Sequence, residues 1–241
     1  MVNLATGVIP ARHSSQRFPG KPLALIHGKP MIQRVYEQAK KATLCEQIII
    51  ATDDEKIFHA AQAFGADVWM TSSQHNSGTE RVAEIAEKIQ CPIIINIQGD
   101  EPLLQGQMID DLIIALQDEN IAVATLATKI KDFTLIDDKN IVKVVTDKND
   151  FALYFSRSPL PFQPTDYFLQ HIGIYGYQRD FLLKFGQLPE SRLEKTEKLE
   201  QLRILENGYK IKVVETPFKT LSVDSPQDIL KVEDILKTVS N

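Results

Sequence analysis

Two short runs without a polar break, Ile48-Ile49-Ile50-Ala51 and Ile93-Ile94-Ile95, restrict the possible folds of this chain more than any other feature. A strand that is apolar on successive residues must be covered on both faces, as strands of a parallel sheet are when helices flank it on either side. The surroundings agree. Ile32, Val35, Tyr36 and Ala39 recur at helical spacing before the first run, and Ile57, Ala60, Ala61 and Phe64 after it, with Gly65 placed as a left-handed cap. Leu4 to Ile9 reads as a first strand and Asp67 to Met70 as another. Val82, Ile85, Ala86 and Ile89 form the inner face of a helix that opens near Thr79. Gly106 to Gln117 is a helix after the strand Pro92 to Ile97. This alternation predicts an α/β fold with a doubly wound, mostly parallel, Rossmann-like sheet. Right-handed crossovers would bring the strand carboxyl ends to one edge, where open α/β sheets bind ligands.

After about Ala127 the rhythm changes. Ile141 to Val145, Phe151 to Ser156 and His171 to Tyr177 alternate polar and apolar residues. They predict a smaller mixed or antiparallel lobe, spanning about 128–178, inserted into a single domain of residues 1–241. A helix from Leu193 to Glu206 is expected to turn Leu199, Leu202 and Leu205 inward and Glu194, Glu197 and Glu200 to solvent. A strand at Tyr209 to Glu215 follows. The last helix starts at Pro226, with Ser225 at its cap and Asp228 three residues on.

The loop after the first strand holds Arg12, Arg17 and Lys21 within ten residues, although the chain carries a net charge of -5. A positive cluster in an acidic protein points to a small polyanion rather than to nucleic acid. Pro19, Gly20 and Pro22 shape that loop. Gln98-Gly99-Asp100-Glu101-Pro102 follows the buried run directly, at the carboxyl end of a central strand. Asp100 there suits Mg²⁺, which takes one or two carboxylates together with waters and phosphate oxygens. Asp224, after Leu221-Ser222-Val223, is a second candidate carboxylate. Ser77 and Glu80 fit a capping box, and Gly78 permits close contact at the same helix start. Arg81 has no such explanation, since a cation in the first turn opposes the helix dipole. Arg157 ends one strand as a potential carboxylate clamp, and His171 begins another.

Several classes are excluded. Gly20-Lys21 is followed by Pro22 and no G-x-x-x-x-G-K-[ST] occurs. No G-x-G-x-x-G follows the first strand, the histidines form no zinc pattern, and neither G-x-S-x-G nor D-x-D is present. No apolar run is long enough to span a bilayer, so no membrane insertion is expected. Cys45 and Cys91 match no metal spacing and are expected to pack as small apolar residues. Without an export signal, the expected location is cytoplasmic.

Taken together, Pro10 to Leu23, Gly28 to Ile32, Ala51 to Asp53, His75 to Arg81, Gln98 to Pro102, Ala152 to Arg157, His171 to Tyr177, Leu199 to Arg203 and Val223-Asp224 resemble the 3-deoxy-manno-octulosonate cytidylyltransferase (CMP-Kdo synthetase) family over nearly the whole chain. The resemblance implies a nucleotidyltransferase that joins CTP to the acidic sugar Kdo, giving CMP-Kdo and pyrophosphate for lipopolysaccharide biosynthesis. It implies that Ala11, Arg12, Lys21, Ser77, Gly78 and Asp100 bind CTP, with Arg12, Lys21 and Asp100 catalytic. Asp100 and Asp224 would bind Mg²⁺. Arg81, Gln98, Arg157, His171, Tyr175, Glu200 and Gln201 would surround the sugar. It also implies a homodimer, with the later strands at the subunit contact. Family members often carry a longer segment where Ser158 to Gln170 stands here. The competing readings are a cytidylyltransferase for another acidic sugar, an 8-amino octulosonate or a nonulosonic acid, and a nucleotide-binding module without turnover.

Overall fold

Among the described residues, nine strands form one mixed sheet with helices on both faces, which is why the isoleucine runs have no polar side. The computed structural model describes residues 5–12 and 18–239; Arg17 lies outside them. The chain begins with β1 (Ala5–Ala11), the small hairpin β2 (Leu25–Ile26) and β3 (Lys29–Pro30), and α1 (Met31–Ala39). Then come β4 (Gln47–Thr52), α2 (Glu55–Ala63), β5 (Asp67–Met70), α3 (Gly78–Lys88), β6 (Ile93–Asn96) and α4 (Gly106–Ala115). The second half holds β7 (Val123–Ile130), β8 (Lys143–Thr146), β9 (Ala152–Ser156), β10 (Phe168–Gln178) and α5 (Arg179–Phe185). It closes with α6 (Arg192–Glu197), α7 (Leu202–Glu206), β11 (Lys212–Glu215) and α8 (Pro226–Val239).

Strand order is β11-β7-β10-β6-β1-β4-β5. β1 pairs in parallel with β4 and β6, β4 with β5, and β7 with β11. On β4, Ile48 and Ile50 join a core built with α1, α2 and α4, whereas Ile49 and Ala51 join a second core built with α3, α5 and α7. Ile93 and Ile95 likewise face the first core and Ile94 the second. The period-two geometry of a strand makes this division inevitable once helices cover both faces.

The antiparallel region expected beside the sheet is continuous with it. β10 runs antiparallel inside the sheet, between β6 and β7, and β8 and β9 extend from it as an outer pair. The single helix expected over Leu193 to Glu206 is two. Lys198 adopts a left-handed conformation (φ 55°, ψ 48°) and ends α6, so the leucine spacing of three continues across a break. Glu200 and Gln201 fall in that break rather than on a solvated helical face. Glu194 closes a capping box with Ser191 and pairs with Arg203 at 2.6 Å. The expected strand from Tyr209 begins only at Lys212, because Gly208 (φ 82°) and the Tyr209 N–H bond to the Ile204 carbonyl still terminate α7. Gly65 is left-handed, as the cap reading requires. Cys91 is buried; Cys45 is half-buried, and burial pushes its thiol up to about 12.

Two packing details set the rigidity of the site's floor. The buried Asp110 carboxylate accepts the Thr43 and Leu44 backbone N–H groups at 2.9–3.0 Å, tying α4 to the loop before β4. Gly106, at the start of α4, packs so closely on that loop that a Cβ there would lie 2.6 Å from the Ala42 nitrogen. Backbone cannot yield as a flexible side chain can, so Gly106→Ala is expected to cost about 1–3 kcal/mol of stability. Urea unfolding checks this, and an unchanged midpoint would contradict the packing. On the far side, Val223 and Val232 of the C-terminal region pack with Ile26 and Met31. That small cluster delivers the residue after Val223 to the carboxyl edge of the sheet.

Candidate active site

At the carboxyl edge, the end of β1 and the turn after β6 nearly touch: a Cβ on Gly99 would lie 3.1 Å from the Pro10 carbonyl. Gly20, left-handed at φ 74°, starts the short 3₁₀ turn Lys21–Leu23 and aims Lys21 inward. The Lys21 Nζ donates to Asp100 Oδ2 at 2.6 Å and to the Val223 carbonyl at 2.8 Å, and lies 3.5 Å from Asp224 Oδ1. The Val223 N–H in turn donates to the Asp100 carbonyl at 2.9 Å. Two acids 124 positions apart in the chain are thus held around one cation. Among the described residues no group of three or more His, Cys, Asp or Glu side chains is arranged to hold a metal ion. Two hard carboxylates around a position already held by positive charge are the donor set Mg²⁺ uses when water and phosphate complete its shell, so the residues fit that ion. Glu101, beside them, is buried and bonded by Ser222; burial, reinforced by the Asp100 charge, pushes its carboxyl up to about 7.

The loop before α3 is braced from both sides. Arg12 donates to the Asn76 carbonyl at 2.8 Å and the His75 carbonyl at 3.4 Å. Ser77 caps α3 by accepting the Glu80 N–H, but the Glu80 carboxylate reaches past Ser77 to the Asn76 N–H at 2.7 Å. Glu84 accepts the Ser72 N–H at 2.8 Å and meets His75 Nε2 at 2.7 Å. Burial opposes its charge, yet Lys88, the Ser72 N–H and His75 together hold its carboxyl down to about 2. A depressed carboxylate contributes stability above the unfolded value near 4.5 and loses it as pH falls toward 2. The stability difference between the native chain and Glu84→Gln is therefore expected to be about 1 kcal/mol above pH 5 and to vanish near pH 2. Denaturant titrations across that range test this; a pH-independent difference would contradict it.

Arg81 does not line the cleft. It is wholly buried and donates to Asp53 at 2.9 Å, to Thr71 and to the Ser72 carbonyl, joining the ends of β4 and β5 to α3. The resemblance sets Arg81 against the sugar; in this structure its guanidinium faces Asp53, Thr71 and the Ser72 carbonyl. Its conflict with the helix dipole is answered by Asp53.

Between these groups and β10 lies a cleft of about 910 Å³. Gly78, Gln98, Asp100, His171, Tyr175, Glu200, Gln201 and Asp224 all line it. Three buried polar atoms in its wall, the Tyr175 hydroxyl, Gln201 Nε2 and Glu101 Oε2, have no hydrogen-bond partner among the described residues. Buried polar atoms are rarely left unpaired unless a ligand or solvent completes them. Burial raises Glu200 above the usual carboxylate range, while hydrogen bonds from Thr79 and Ser77 act against the shift.

Arg157 sits at the rim. Its Nε donates to the Glu197 carbonyl at 3.1 Å and its Nη1 to the Lys139 carbonyl at 2.9 Å. The rim loop is knotted by Lys143, a fully buried lysine whose Nζ donates to the carbonyls of Asp138, Ile141 and Arg157 at 2.7–2.9 Å.

The family model for cytidylyltransferases matches residues 6–211 of the chain. The 3-deoxy-manno-octulosonate cytidylyltransferase of Geotalea daltonii is 49% identical over 96% of this chain and 98% of its own length. The chain belongs to this cytidylyltransferase family. The enzyme of the same description from Solibacter usitatus is 52% identical, covering 96% of this chain and 94% of its own. The solved structure of CMP:2-keto-3-deoxy-manno-octonic acid synthetase complexed with CTP superimposes with a TM-score of 0.93. It is 42% identical and covers 98% of this chain and 99% of that one.

Within this cytidylyltransferase the fold gathers the acids, Lys21, Gln98 and the β10 aromatics at one cleft, leaves Arg157 at its rim and buries Arg81 behind it. Arg12 braces the His75–Asn76 loop beside Gly78, and Ala11 ends β1 immediately before it. Residues that sequence reasoning passed over include Thr79, Asn96 and Ser222 in the cleft wall, and Thr125, Lys143 and Glu197 behind it. Only Lys143 carried a signal, as a lone cation amid Ile141, Val142, Val144 and Val145.

Proposed function

We propose that this cleft activates Kdo with CTP, the anomeric hydroxyl of the sugar attacking the α-phosphorus while pyrophosphate departs. The observation that carries the reading is the pairing of two features in one cavity. At one end a lysine is clasped by two carboxylates, and along the wall three buried polar atoms lack protein partners. A triphosphate carried with a divalent cation suits the first, and a polyhydroxy acid suits the second.

Lys21, and Arg12 beside the His75–Asn76 loop, neutralise the triphosphate. Ser77 and Gly78 line the cytidine side at the start of α3, where N–H groups are exposed to a ligand edge. Asp100 and Asp224 would hold Mg²⁺, which would supply Lewis-acid polarisation of phosphate oxygens. Gln98, His171, Tyr175, Glu200 and Gln201 hold the sugar, and Arg157 at the rim meets its carboxylate. A sugar hydroxyl and a phosphorus held in line gain most of their rate from positioning and charge neutralisation, with no covalent enzyme intermediate. The reading takes the enzyme as a cytoplasmic homodimer in the route to lipopolysaccharide. Leu153 on the outer strand β9 and Phe162 beyond it, 62% and 87% exposed, are apolar surface that such a contact would cover.

The test is a substrate panel with product identified by mass. Kdo with CTP should give CMP-Kdo at least tenfold faster than an 8-amino octulosonate or a nonulosonic acid, and faster than Kdo with any other nucleotide. Preferred turnover of a nonulosonic acid would reassign the sugar. CTP binding without product from any acidic sugar would make the chain a nucleotide-binding module.

A further inference from the structure

Thr125 lies in the middle of β7, completely buried, with its Oγ1 touching three groups of β10. It is 2.8 Å from the Ile174 carbonyl, 3.3 Å from the Ile172 carbonyl and 3.0 Å from His171 Nε2. The two carbonyls flank Gly173, where the β10–β7 register shifts between Ile172 and Tyr175.

A hydroxyl has one proton to give, and a carbonyl oxygen has none. Two oxygens 2.8 Å apart without a hydrogen between them would repel, so the Thr125 proton is committed to Ile174. Towards His171 the same oxygen can then act only as an acceptor, and Nε2 must carry the hydrogen. Burial disfavours a second proton on the ring and pushes its pKa down to about 3, which leaves Nδ1 bare at neutral pH. Phe155 and Tyr175 pack against the imidazole with ring centroids 5.0 and 5.4 Å away and fix its plane.

We propose that Thr125 is a positioning residue that locks His171 as the Nε2–H tautomer, leaving Nδ1 as a hydrogen-bond acceptor for the ligand in the cleft. On the reading of that ligand as Kdo, His171 takes a hydroxyl hydrogen of the sugar and does not pair with its carboxylate. An acceptor nitrogen attracts the first and repels the second. A sugar lacking the hydroxyl would leave Nδ1 unpaired and be rejected for that reason.

Two readouts test this on the full-length enzyme. In long-range ¹H–¹⁵N spectra of protein labelled on its five histidines, the resonance lost in His171→Gln identifies His171. The native enzyme should show protonated Nε2 and bare Nδ1, and Thr125→Ser should keep that pattern. Thr125→Val should shift His171 to a tautomer mixture. It should also raise the KM for Kdo about tenfold, the loss of one well-placed hydrogen bond, with kcat and the KM for CTP within twofold. A native spectrum with Nδ1–H, or a Thr125→Ser spectrum with Nδ1–H, would overturn the proposal even if the valine variant failed to fold. A valine variant that kept the Nε2–H form, or that lost kcat and CTP affinity alongside Kdo affinity, would overturn it as well. The tautomer is read without substrate, so an Nε2–H spectrum in an enzyme that ignored Kdo would support the assignment while refuting the functional reading.

Discussion

Asp100→Asn should lower turnover by about a thousandfold while leaving the fold intact, the magnitude expected when a preorganised charge facing a transferring phosphoryl group is removed. Asparagine keeps the shape and can still accept from Lys21, but it removes the negative charge that meets Nζ at 2.6 Å. It also removes one of only two carboxylates at the proposed Mg²⁺ position. The backbone link from Val223 to the Asp100 carbonyl does not involve the side chain, so the two loops should stay in register. Pyrophosphate release read beside thermal unfolding separates these effects. A variant within tenfold of the native rate would remove Asp100 from the mechanism.

Arg81→Met is expected to act on the protein before it acts on any substrate. It removes a fully buried guanidinium and leaves Asp53, which is largely covered, without its ion-pair partner at 2.9 Å. Breaking a buried pair by deleting one member strands the other charge, at a cost of about 3 kcal/mol. Thr71 and the Ser72 carbonyl lose a donor in the same step, which loosens the loop carrying Ser77 and Gly78. Denaturant unfolding should show the stability loss, and kinetics should show weaker CTP binding. Arg81→Lys should recover little of either, since one ammonium cannot reach all three partners of the planar fork. Native stability combined with a raised KM for Kdo alone would return Arg81 to the sugar.

The contrast between these two residues shows what could be read from the chain. Asp100 was legible because its meaning is local: a carboxylate directly after a run of buried isoleucines is costly unless something uses it. The same runs exposed the sheet, since a strand apolar on successive residues has to be covered on both faces, as helices cover a parallel sheet. Arg81 was legible only as an anomaly. Its partner, Asp53, ends a different strand, and nothing in local spacing names it. Asp224 posed the same difficulty, because its approach to Asp100 depends on Val223 and Val232 packing with Ile26 and Met31. The break at Lys198 was hidden by leucines spaced as a continuous helix would space them, although it turns Gln201 into the cleft wall. Thr125 carried no signal at all: a threonine inside a strand is ordinary, and its role depends on which carbonyls the facing strand presents.

The central claim is that one cleft holds CTP, a divalent cation and Kdo at the same time and joins the sugar to the α-phosphate. Pyrophosphate release by the native enzyme, measured with all three present and with each omitted in turn, tests it most directly. The account predicts release only in the complete mixture, with one CMP-Kdo formed per pyrophosphate. Release of equal rate without Kdo, or with EDTA in place of Mg²⁺, would contradict it.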